Sequence, residues 1–272
     1  MSTKTRGCFT LFGEIECAKH FIVGFPPAGG NPTGTFQAWE AHLPDHVCVL
    51  GYCPPGRGLR TREAAWTSFE DVIQEVVSGM LDVFLSRDGP APARILLYGH
   101  SLGALVAFGT ASYLEAHPEI AEAISMPEAV VCVAKNAPLN STFQLPAADG
   151  SDQLLSDWLI SMQGGSVLQD PDFMAYFLTL LRADLVVHED FYRRSSEIRA
   201  EKLRLIPLCY HGGTEDGFSQ ESQLQWSECS VTPVSVTWWE GGHFFMNKRL
   251  SSFVATVVAT FTSDHSRFDP SK

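Results

Sequence analysis

The sequence has few basic residues and no long apolar run. Lys and Arg number 19 against 31 Asp and Glu, which gives a net charge of −12. A nucleic-acid binder needs a basic surface to displace phosphate counterions, and no basic stripe is visible, so we expect no nucleic-acid partner. No run of 18 apolar residues occurs, so we also expect no membrane insertion.

The sequence also lacks two patterns: that of an export signal at residues 1–7, and any C-x-x-C pair among the cysteines. Residues Met1 to Gly7 are polar and lack the apolar core and cleavage pattern of a secretory signal, so we expect a cytoplasmic protein. The seven cysteines are an odd number without a C-x-x-C pair, and several lie in apolar runs such as 47–49 and 131–133. This pattern favours buried thiols in a reducing compartment over a disulfide framework or a zinc site.

Short apolar runs bounded by Gly or Pro alternate with longer helical patterns along the chain. Most of these runs are continuously apolar, which is typical of strands that are buried on both faces of a parallel sheet. The six predicted strands are Phe21–Phe25, Val47–Tyr52, Ile95–Tyr98, Ala129–Ala134, Ile206–Tyr210 and Val234–Trp239. The pattern predicts an α/β fold with a mostly parallel central sheet flanked by helices, and we expect residues 1–272 to form one domain.

Two helical regions bear on the architecture. An apolar stripe with helical spacing runs from Phe69 to Leu85, after a capping box at 67–70. Between about residues 139 and 192 no strand pattern occurs, only two amphipathic segments, 154–162 and 173–181. An insertion of this kind adds either helical packing or a lid, and the chemistry described next favours a lid over a pocket.

One serine lies in a pattern that is typical of a nucleophile. Gly99-His100-Ser101-Leu102-Gly103 follows the strand Ile95–Tyr98 and begins a helical run that extends to Leu114. A G-x-S-x-G turn between strand and helix is the nucleophile elbow of the α/β-hydrolase fold. The glycines permit a tight turn, and the helix N-terminus directs amides at developing negative charge. The setting predicts Ser101 as the nucleophile.

A serine hydroxyl needs a base, and in this fold the chain order is serine, acid, histidine. His243 directly follows the strand Val234–Trp239, so we predict it as the base. His211 is the rival because it also ends a strand. The other downstream histidines lie in helical, inserted or C-terminal segments: His117, His188 and His265.

The acid is expected on the loop after the preceding strand. Asp216 lies there between glycine-rich segments, and a short carboxylate in such a turn can hold an imidazole in one orientation. Glu215 is an adjacent alternative and Glu240 a weaker one. We predict Asp216 as the residue that orients the base.

An oxyanion hole requires amide donors from the elbow and from an early loop. The Leu102 amide supplies the first, and the loop Phe25-Pro26-Pro27-Ala28-Gly29-Gly30 follows the first predicted strand. Two of these residues are prolines without an N–H, so the donor is Ala28 or a glycine, and Ala28 is the first amide available. His100 is expected to pack beneath the elbow rather than to act as a base.

Six motifs together resemble the stand-alone type II thioesterases that serve polyketide and nonribosomal-peptide assembly lines. They are Phe25-Pro26-Pro27-Ala28-Gly29-Gly30, Pro55-Gly56-Arg57-Gly58, Gly99-His100-Ser101-Leu102-Gly103-Ala104, Leu181-Arg182-Ala183-Asp184, Gly213-Thr214-Glu215-Asp216 and Gly241-Gly242-His243-Phe244-Phe245. Each match is modest, and their shared order along most of the chain is specific.

The resemblance implies hydrolysis of acyl thioesters on the phosphopantetheine arm of an acyl carrier protein, through an acyl-serine. It supports Ser101, Asp216 and His243 as a catalytic triad, a helical lid, and no metal or bound cofactor. The stretch Lys135-Asn136-Ala137-Pro138 departs from the family's Arg-rich pattern, which leaves the acyl preference open. Arg57 is interpreted as a surface-loop residue. Arg182 and Asp184 are interpreted as an ion pair or as part of a docking surface.

Two further hypotheses remain open at this point. The first is another esterase: a chain-terminating thioesterase for fatty acids or polyketides, or a general carboxylesterase. The second is a ligand-binding protein that kept the fold without catalysis, against which the three triad residues are all present.

Overall fold

The computed structural model describes residues 4–87, 93–139, 145–162, 170–198 and 202–261, with only the backbone for Pro171 and residues 194–198. In this part of the chain the strands are β1 (Lys4–Arg6), β2 (Phe9–Phe12), β3 (His20–Phe25), β4 (Val47–Tyr52), β5 (Arg94–His100), β6 (Ala129–Val133), β7 (Leu208–Gly213) and β8 (Ser235–Trp239). The helices are α1 (Pro32–Phe36), α2 (Phe69–Ser86), α3 (Leu102–Ala116), α4 (Pro118–Ile124), α5 (Asp152–Ser161), α6 (Pro171–Ile198), α7 (Gln220–Leu224) and α8 (Leu250–Ala259).

The strands form one sheet in the order β1-β2-β4-β3-β5-β6-β7-β8. β2 pairs antiparallel with both β1 and β4, and the neighbours from β4 to β8 are all parallel. Near its C-terminal end, β3 places Gly24 opposite Gly51 of β4 and Tyr98 of β5. The predicted mostly parallel sheet with flanking helices is therefore confirmed.

The strand bounds differ from the predictions by up to three residues. β4 has the predicted bounds, whereas β7 ends at Gly213 and so includes His211 within the strand. The sequence did not predict β1 and β2, which have three and four residues. They extend the antiparallel edge of the sheet, where such short segments carry little periodic signal.

Side chains from both faces of the sheet form the core. On β3, Phe21 and Val23 pack on the side of α2 and α3, while Ile22 packs on the opposite side with Trp39 and Phe253. Full burial of each such side chain contributes about 1.5–3 kcal/mol to folding. None of the helices in the described segments combines the length and the apolar character needed to cross a bilayer.

Helix α2 has the predicted extent, but its N-cap is one residue later than Thr67, the first residue of the predicted capping box. Ser68 is its N-cap, and the hydroxyl accepts a hydrogen bond from the Asp71 N–H at 3.4 Å. The first helical N–H, that of Phe69, donates to the Asp190 carboxylate at 2.9 Å. This bond ties the start of α2 to α6.

Helices α5 and α6 occupy the chain between β6 and β7, where the inserted segment was predicted. Leu155 and Leu159 of α5 pack against Leu178, Leu181 and Leu185 of α6. The predicted second segment, 173–181, is only the first part of a helix that continues to Ile198. The predicted break at Gly164-Gly165 lies outside the described residues.

Candidate active site

Ser101 lies in a strained turn between β5 and α3. Its backbone angles, φ 56° and ψ −119°, belong to a region that residues with a Cβ rarely adopt. A Cβ on Gly99 would lie 1.9 Å from the Gly103 carbonyl oxygen, and one on Gly103 would lie 2.2 Å from that of Phe25. Glycine is therefore required at both positions, and the turn holds Ser101 above the end of the sheet.

Ser101 and His243 line the same cavity, which has a volume of about 310 Å³. Most of the cavity wall is apolar and aromatic. The core supplies Trp39, Tyr98, Phe244 and Met246, and the inserted helices and their flanks supply Trp158, Leu159, Met162, Phe173, Tyr176, Phe177 and Leu180. The helices α5 and α6 thus form one side of a pocket above the serine.

Asp216 and His243 lie on the loops that follow β7 and β8. Nδ1 of His243 is 3.2 Å from each carboxylate oxygen of Asp216, and the two side chains are 5% and 0% exposed. The Phe218 N–H donates to the carboxylate at 3.4 Å, and the Phe218 ring packs edge-on against the imidazole at 5.5 Å. Because a carboxylate only accepts, Nδ1 carries the proton and Nε2 is left as the basic nitrogen.

The rival histidine and acids have other surroundings. His211 is buried in β7, where its Nδ1 accepts a hydrogen bond from the Trp239 indole at 3.1 Å. Burial lowers the pKa of His211 to about 4. Glu215 is exposed, and Glu240 pairs with Arg249 on the surface. Among the described residues, the structure brings only Asp216 of these three carboxylates to His243.

His100, next to Ser101, supports the loop that carries His243. It is buried, and its Nε2 lies 3.0 Å from the His243 carbonyl oxygen, so Nε2–H donates this bond. Burial, aided by the nearby His243, lowers the pKa of His100 to about 3 and keeps the ring neutral. The expected packing beneath the turn is present, and the hydrogen bond to His243 is an addition that sequence reasoning missed.

The predicted oxyanion loop forms a tight turn from Pro27 to Gly30. The Gly30 N–H donates to the Pro27 carbonyl at 2.9 Å, and Gly29 has a φ of 72°, which a type II turn requires at this position. The Gly29 N–H donates to Asp184 at 2.7 Å. Within the described residues the Ala28 N–H has no partner, and the Leu102 N–H begins α3 without an intrahelical acceptor. These are the two amides predicted as donors.

The interpretation of Arg57 as a surface-loop residue is wrong. Arg57 is 1% exposed, and its guanidinium binds both carboxylate oxygens of Asp184 at 2.6 and 2.7 Å. Arg182 and Asp184 do not pair with each other as one interpretation had it. Arg182 instead pairs with Asp152 and donates to the carbonyls of Ala148 and Gly150.

A second buried basic group, Lys135, lies near Asp216. Its Nζ is 3.0 Å from Nε2 of His188 on α6 and 5.6 Å from the centre of the Phe218 ring. Burial lowers the pKa of Lys135 to about 7, and the Asp216 carboxylate opposes part of this shift. The departure at 135–138 was visible in the sequence, but the contact with His188 was not.

Two curated proteins and one solved structure are similar to this chain over most of its length. Gramicidin S biosynthesis protein GrsT of Aneurinibacillus migulanus is 28% identical over 239 residues, 85% of this chain and 84% of GrsT. Thioesterase PikA5 of Streptomyces venezuelae is 27% identical over 227 residues, 83% of this chain and 75% of PikA5. YbtT, a type II thioesterase from the yersiniabactin NRPS/PKS biosynthetic pathway, superposes with a TM-score of 0.72 at 25% identity, over 90% of this chain and 94% of YbtT.

The family is shown by a match over most of the sequence. Residues 21–261 match the family model of the thioesterase domain. This range includes every strand of the parallel part of the sheet except the first residue of β3, and all the site residues described above. The chain therefore belongs to the thioesterase family, as a hydrolase of the α/β-hydrolase fold that acts on thioesters.

Proposed function

We propose that this protein is a stand-alone type II thioesterase that hydrolyses acyl groups from the phosphopantetheine arm of a carrier protein in polyketide or nonribosomal-peptide synthesis. The observation that carries the proposal is one apolar cavity that contains Ser101 and an Asp216-supported His243. The similarity to GrsT, PikA5 and YbtT over most of the chain supports the assembly-line context.

In the first half of the proposed reaction, His243 takes the hydroxyl proton of Ser101 while the serine oxygen attacks the thioester carbonyl. The carbonyl oxygen becomes an oxyanion, which accepts hydrogen bonds from the Ala28 and Leu102 amides. Collapse of this intermediate breaks the C–S bond, and His243 gives its proton to the leaving thiolate. Asp216 stabilises the imidazolium and holds its tautomer.

In the second half, water replaces the thiol. His243 takes one proton from the water as its oxygen attacks the acyl-serine, and the same two amides stabilise the new oxyanion. Collapse releases the carboxylic acid and returns the proton to Ser101. These steps need only the side chains and backbone amides named, together with water.

The apolar walls suit the acyl group rather than the polar pantetheine arm. Burial of a hydrocarbon chain against Trp158, Phe177 and Met246 would contribute about 0.8 kcal/mol for each methylene. On this proposal α5 and α6 act as the lid that covers the acyl group and limits water. The free cysteines, six of which are buried, fit a reducing cytoplasm.

A panel of substrates tests the proposal. We expect purified protein to cleave acyl-carrier thioesters with a higher kcat/KM than acyl-CoA thioesters of the same chain, and both faster than the matching oxygen esters. Ser101→Ala and His243→Ala should each lower turnover by about 10³-fold or more. His211→Ala, the matched control, should change turnover by less than tenfold because its ring belongs to the core.

Two results would contradict the proposal. Preference for oxygen esters would identify a carboxylesterase, and equal use of free long-chain acyl-CoA and carrier substrates would favour a chain-terminating enzyme of fatty-acid synthesis. Turnover in Ser101→Ala within tenfold of the unmodified protein would exclude Ser101 as the nucleophile.

A further inference from the structure

A buried ion pair joins two distant parts of the chain directly behind the oxyanion loop. Arg57 lies on the loop after β4, and Asp184 lies 127 residues further on, in α6. Both carboxylate oxygens accept from the guanidinium, at 2.7 and 2.6 Å, and the side chains are 2% and 11% exposed. Such a closed geometry aligns planar donor and acceptor groups in one orientation.

The same two side chains hold the backbone of the oxyanion loop from both sides. Asp184 Oδ2 accepts from Arg57 Nη1 and also from the Gly29 N–H, each at 2.7 Å. Arg57 Nη1 in turn donates to the Gly30 carbonyl at 2.9 Å. With the turn bond from Gly30 to Pro27, the N–H groups of Gly29 and Gly30 and the carbonyls of Pro27 and Gly30 all have partners, whereas the Ala28 N–H has none among the described residues.

The oxyanion loop is packed between the Arg57–Asp184 pair and helix α6, so its position depends on that pair. A small cavity of about 40 Å³ is lined by Pro27, Leu102, Arg57 and Asp184, so the pair lies against the loop and the elbow together. On the other side the Phe177 ring of α6 lies so close to Gly29 that a Cβ there would be 2.4 Å from it. Loss of the pair would free the turn to rotate the Ala28 N–H.

We propose that Arg57 and Asp184 are positioning residues for the oxyanion hole, holding the Ala28 amide in line with the developing oxyanion and making its position depend on α6. The inference rests on the proposed function, because it needs Ala28 as a donor. Stability alone is a weak reason for the pair, since apolar residues often replace buried ion pairs without loss of stability. A catalytic hydrogen bond, in contrast, loses its effect when its donor moves by a fraction of an ångström.

The second ion pair of α6 supplies a matched control. Arg182 and Asp152 also join α6 to another part of the insertion, with donation to the carbonyls of Ala148 and Gly150. None of these groups bonds to the oxyanion loop. Asp152→Asn should therefore leave kcat within twofold of the unmodified protein.

Two double variants separate positioning from ion pairing. Arg57→Met with Asp184→Leu removes both contacts to the loop and leaves no buried charge. Arg57→Met with Asp184→Asn also removes the ion pair, but its amide oxygen can still accept from the Gly29 N–H. We expect the first to lower kcat about 10²-fold or more with KM within threefold, and the second to recover at least a fifth of the unmodified kcat.

The direct readout is inhibition by an alkyl boronic acid, whose tetrahedral adduct with Ser101 places an oxygen in the oxyanion hole. Arg57→Met with Asp184→Leu (the Met–Leu variant) should lose boronate affinity in parallel with kcat. Its thermal unfolding should still be a cooperative transition, which shows that it is folded. Equal kcat in the two double variants, or a Met–Leu variant with unmodified kcat and boronate affinity, would overturn the inference.

A failure to fold would not remove the test. If the Met–Leu variant is unfolded, Arg57→Lys serves instead, because lysine keeps the charge and the Asp184 contact to Gly29 but cannot also reach the Gly30 carbonyl with a forked group. We expect about a tenfold lower kcat, and an unmodified kcat would overturn the inference. Failure of the proposed function itself is distinguishable, because it would appear in the unmodified protein, as a preference for oxygen esters, as equal use of acyl-CoA and carrier substrates, or as activity that survives Ser101→Ala. Failure of the inference appears only when the variants at Arg57 and Asp184 are compared with the unmodified protein on the ester that it cleaves.

Discussion

Glu215 and Asp216 are adjacent carboxylates in very different environments. Glu215 is exposed to solvent, and its N–H donates to the Gly241 carbonyl. The Asp216 side chain is fully buried against His243, with one bond from the Phe218 N–H. The backbone turn after β7 thus directs one acid outward and the next inward, which chain order alone could not decide.

Exchange of each acid for its amide separates their roles. Asp216→Asn should lower kcat by about 10⁴-fold near neutral pH, because the amide can donate to Nδ1 and so favours the wrong imidazole tautomer. Glu215→Gln, the matched control one residue away, should change kcat by less than twofold. Thioester hydrolysis at pH 7 measures both. If Glu215→Gln were inactive and Asp216→Asn active, Glu215 would be the residue that orients His243.

Lys135 is a buried amine whose charge state depends on pH. Burial lowers its pKa from 10.5 to about 7, with the nearby Asp216 carboxylate opposing the shift. Between pH 7 and 10.5 the unfolded chain holds a proton that the folded protein has lost, so the stability contributed at this residue rises with pH in that window. Below pH 7 the full cost of burying the ammonium is present.

Lys135→Met removes that cost while keeping a side chain of similar length. We expect the variant to be more stable by up to about 4 kcal/mol near pH 6.5, with an advantage that shrinks as pH rises toward 10. Urea unfolding of both proteins at pH 6.5 and 9.5 tests this, with exposed Lys19→Met as control, for which we expect a change within about 0.5 kcal/mol at both values. A stability difference between Lys135→Met and the unmodified protein that grows with pH would contradict the lowered pKa of Lys135.

Single residues differ in how far the sequence could place them. Ser101 and His243 were predictable because a local turn motif and the order of strands determine their positions. Arg57 and Lys135 were not, because a charged residue in a loop pattern is normally solvated. Their burial depends on Asp184 and His188, which lie 127 and 53 residues further along the chain.

Helices and strands followed the sequence where their apolar pattern is long and regular. The predicted stripe from Phe69 to Leu85 matches α2, which spans Phe69–Ser86. Helix α6 was underestimated, because His188 and Asp190 interrupt the apolar pattern although both are buried. Their partners, Lys135 and the start of α2, lie elsewhere in the fold, so no local periodicity could show that the helix continues.

The elbow between β5 and α3 is where element geometry most tightly constrains the sequence. Gly103→Ala would place a methyl group 2.2 Å from the Phe25 carbonyl oxygen, which neither backbone can avoid without moving. We expect a loss of several kcal/mol in unfolding free energy, together with lower activity, since Ser101 moves with the turn.

Gly34→Ala is the control for that substitution. Its added methyl group meets only Asn31 within 4 Å, and no nearer than 3.6 Å, and it lies in α1, where alanine is the better helix former. It should leave stability unchanged or raise it by up to about 1 kcal/mol. Denaturant unfolding measures the stability of both variants. Similar unfolding free energies for the two would contradict the claim that the turn has no room for a Cβ at Gly103.

The charge of the whole protein limits how a carrier can approach. With 31 acidic and 19 basic residues the net charge is −12. The resemblance to type II thioesterases implies that the carrier of the proposed function is acidic too. Two like-charged proteins repel at a distance, so overall steering opposes their encounter. On the proposed function, docking then depends on local contacts, which we expect near the inserted helices that line the cavity. Arg182, Arg193 and Arg194 are the candidate residues. Arg182 is already engaged by Asp152, and Arg193 lies 3.9 Å from Asp190 but is 70% exposed at its side chain. The side chain of Arg194 lies outside the described part of the structure.

Salt should therefore affect the two substrate classes in a defined way. Raising ionic strength by one to two hundred millimolar shortens the Debye length toward about 8 Å or less, which weakens the long-range repulsion more than contacts at the interface. We expect kcat/KM for acyl-carrier substrates to stay level or rise, and Arg193→Ala to lower it only a few-fold. A steep fall with salt for carrier substrates, while acyl-CoA turnover stays constant, would instead show that a strong basic patch governs docking, and Arg193→Ala would then remove much of the salt dependence.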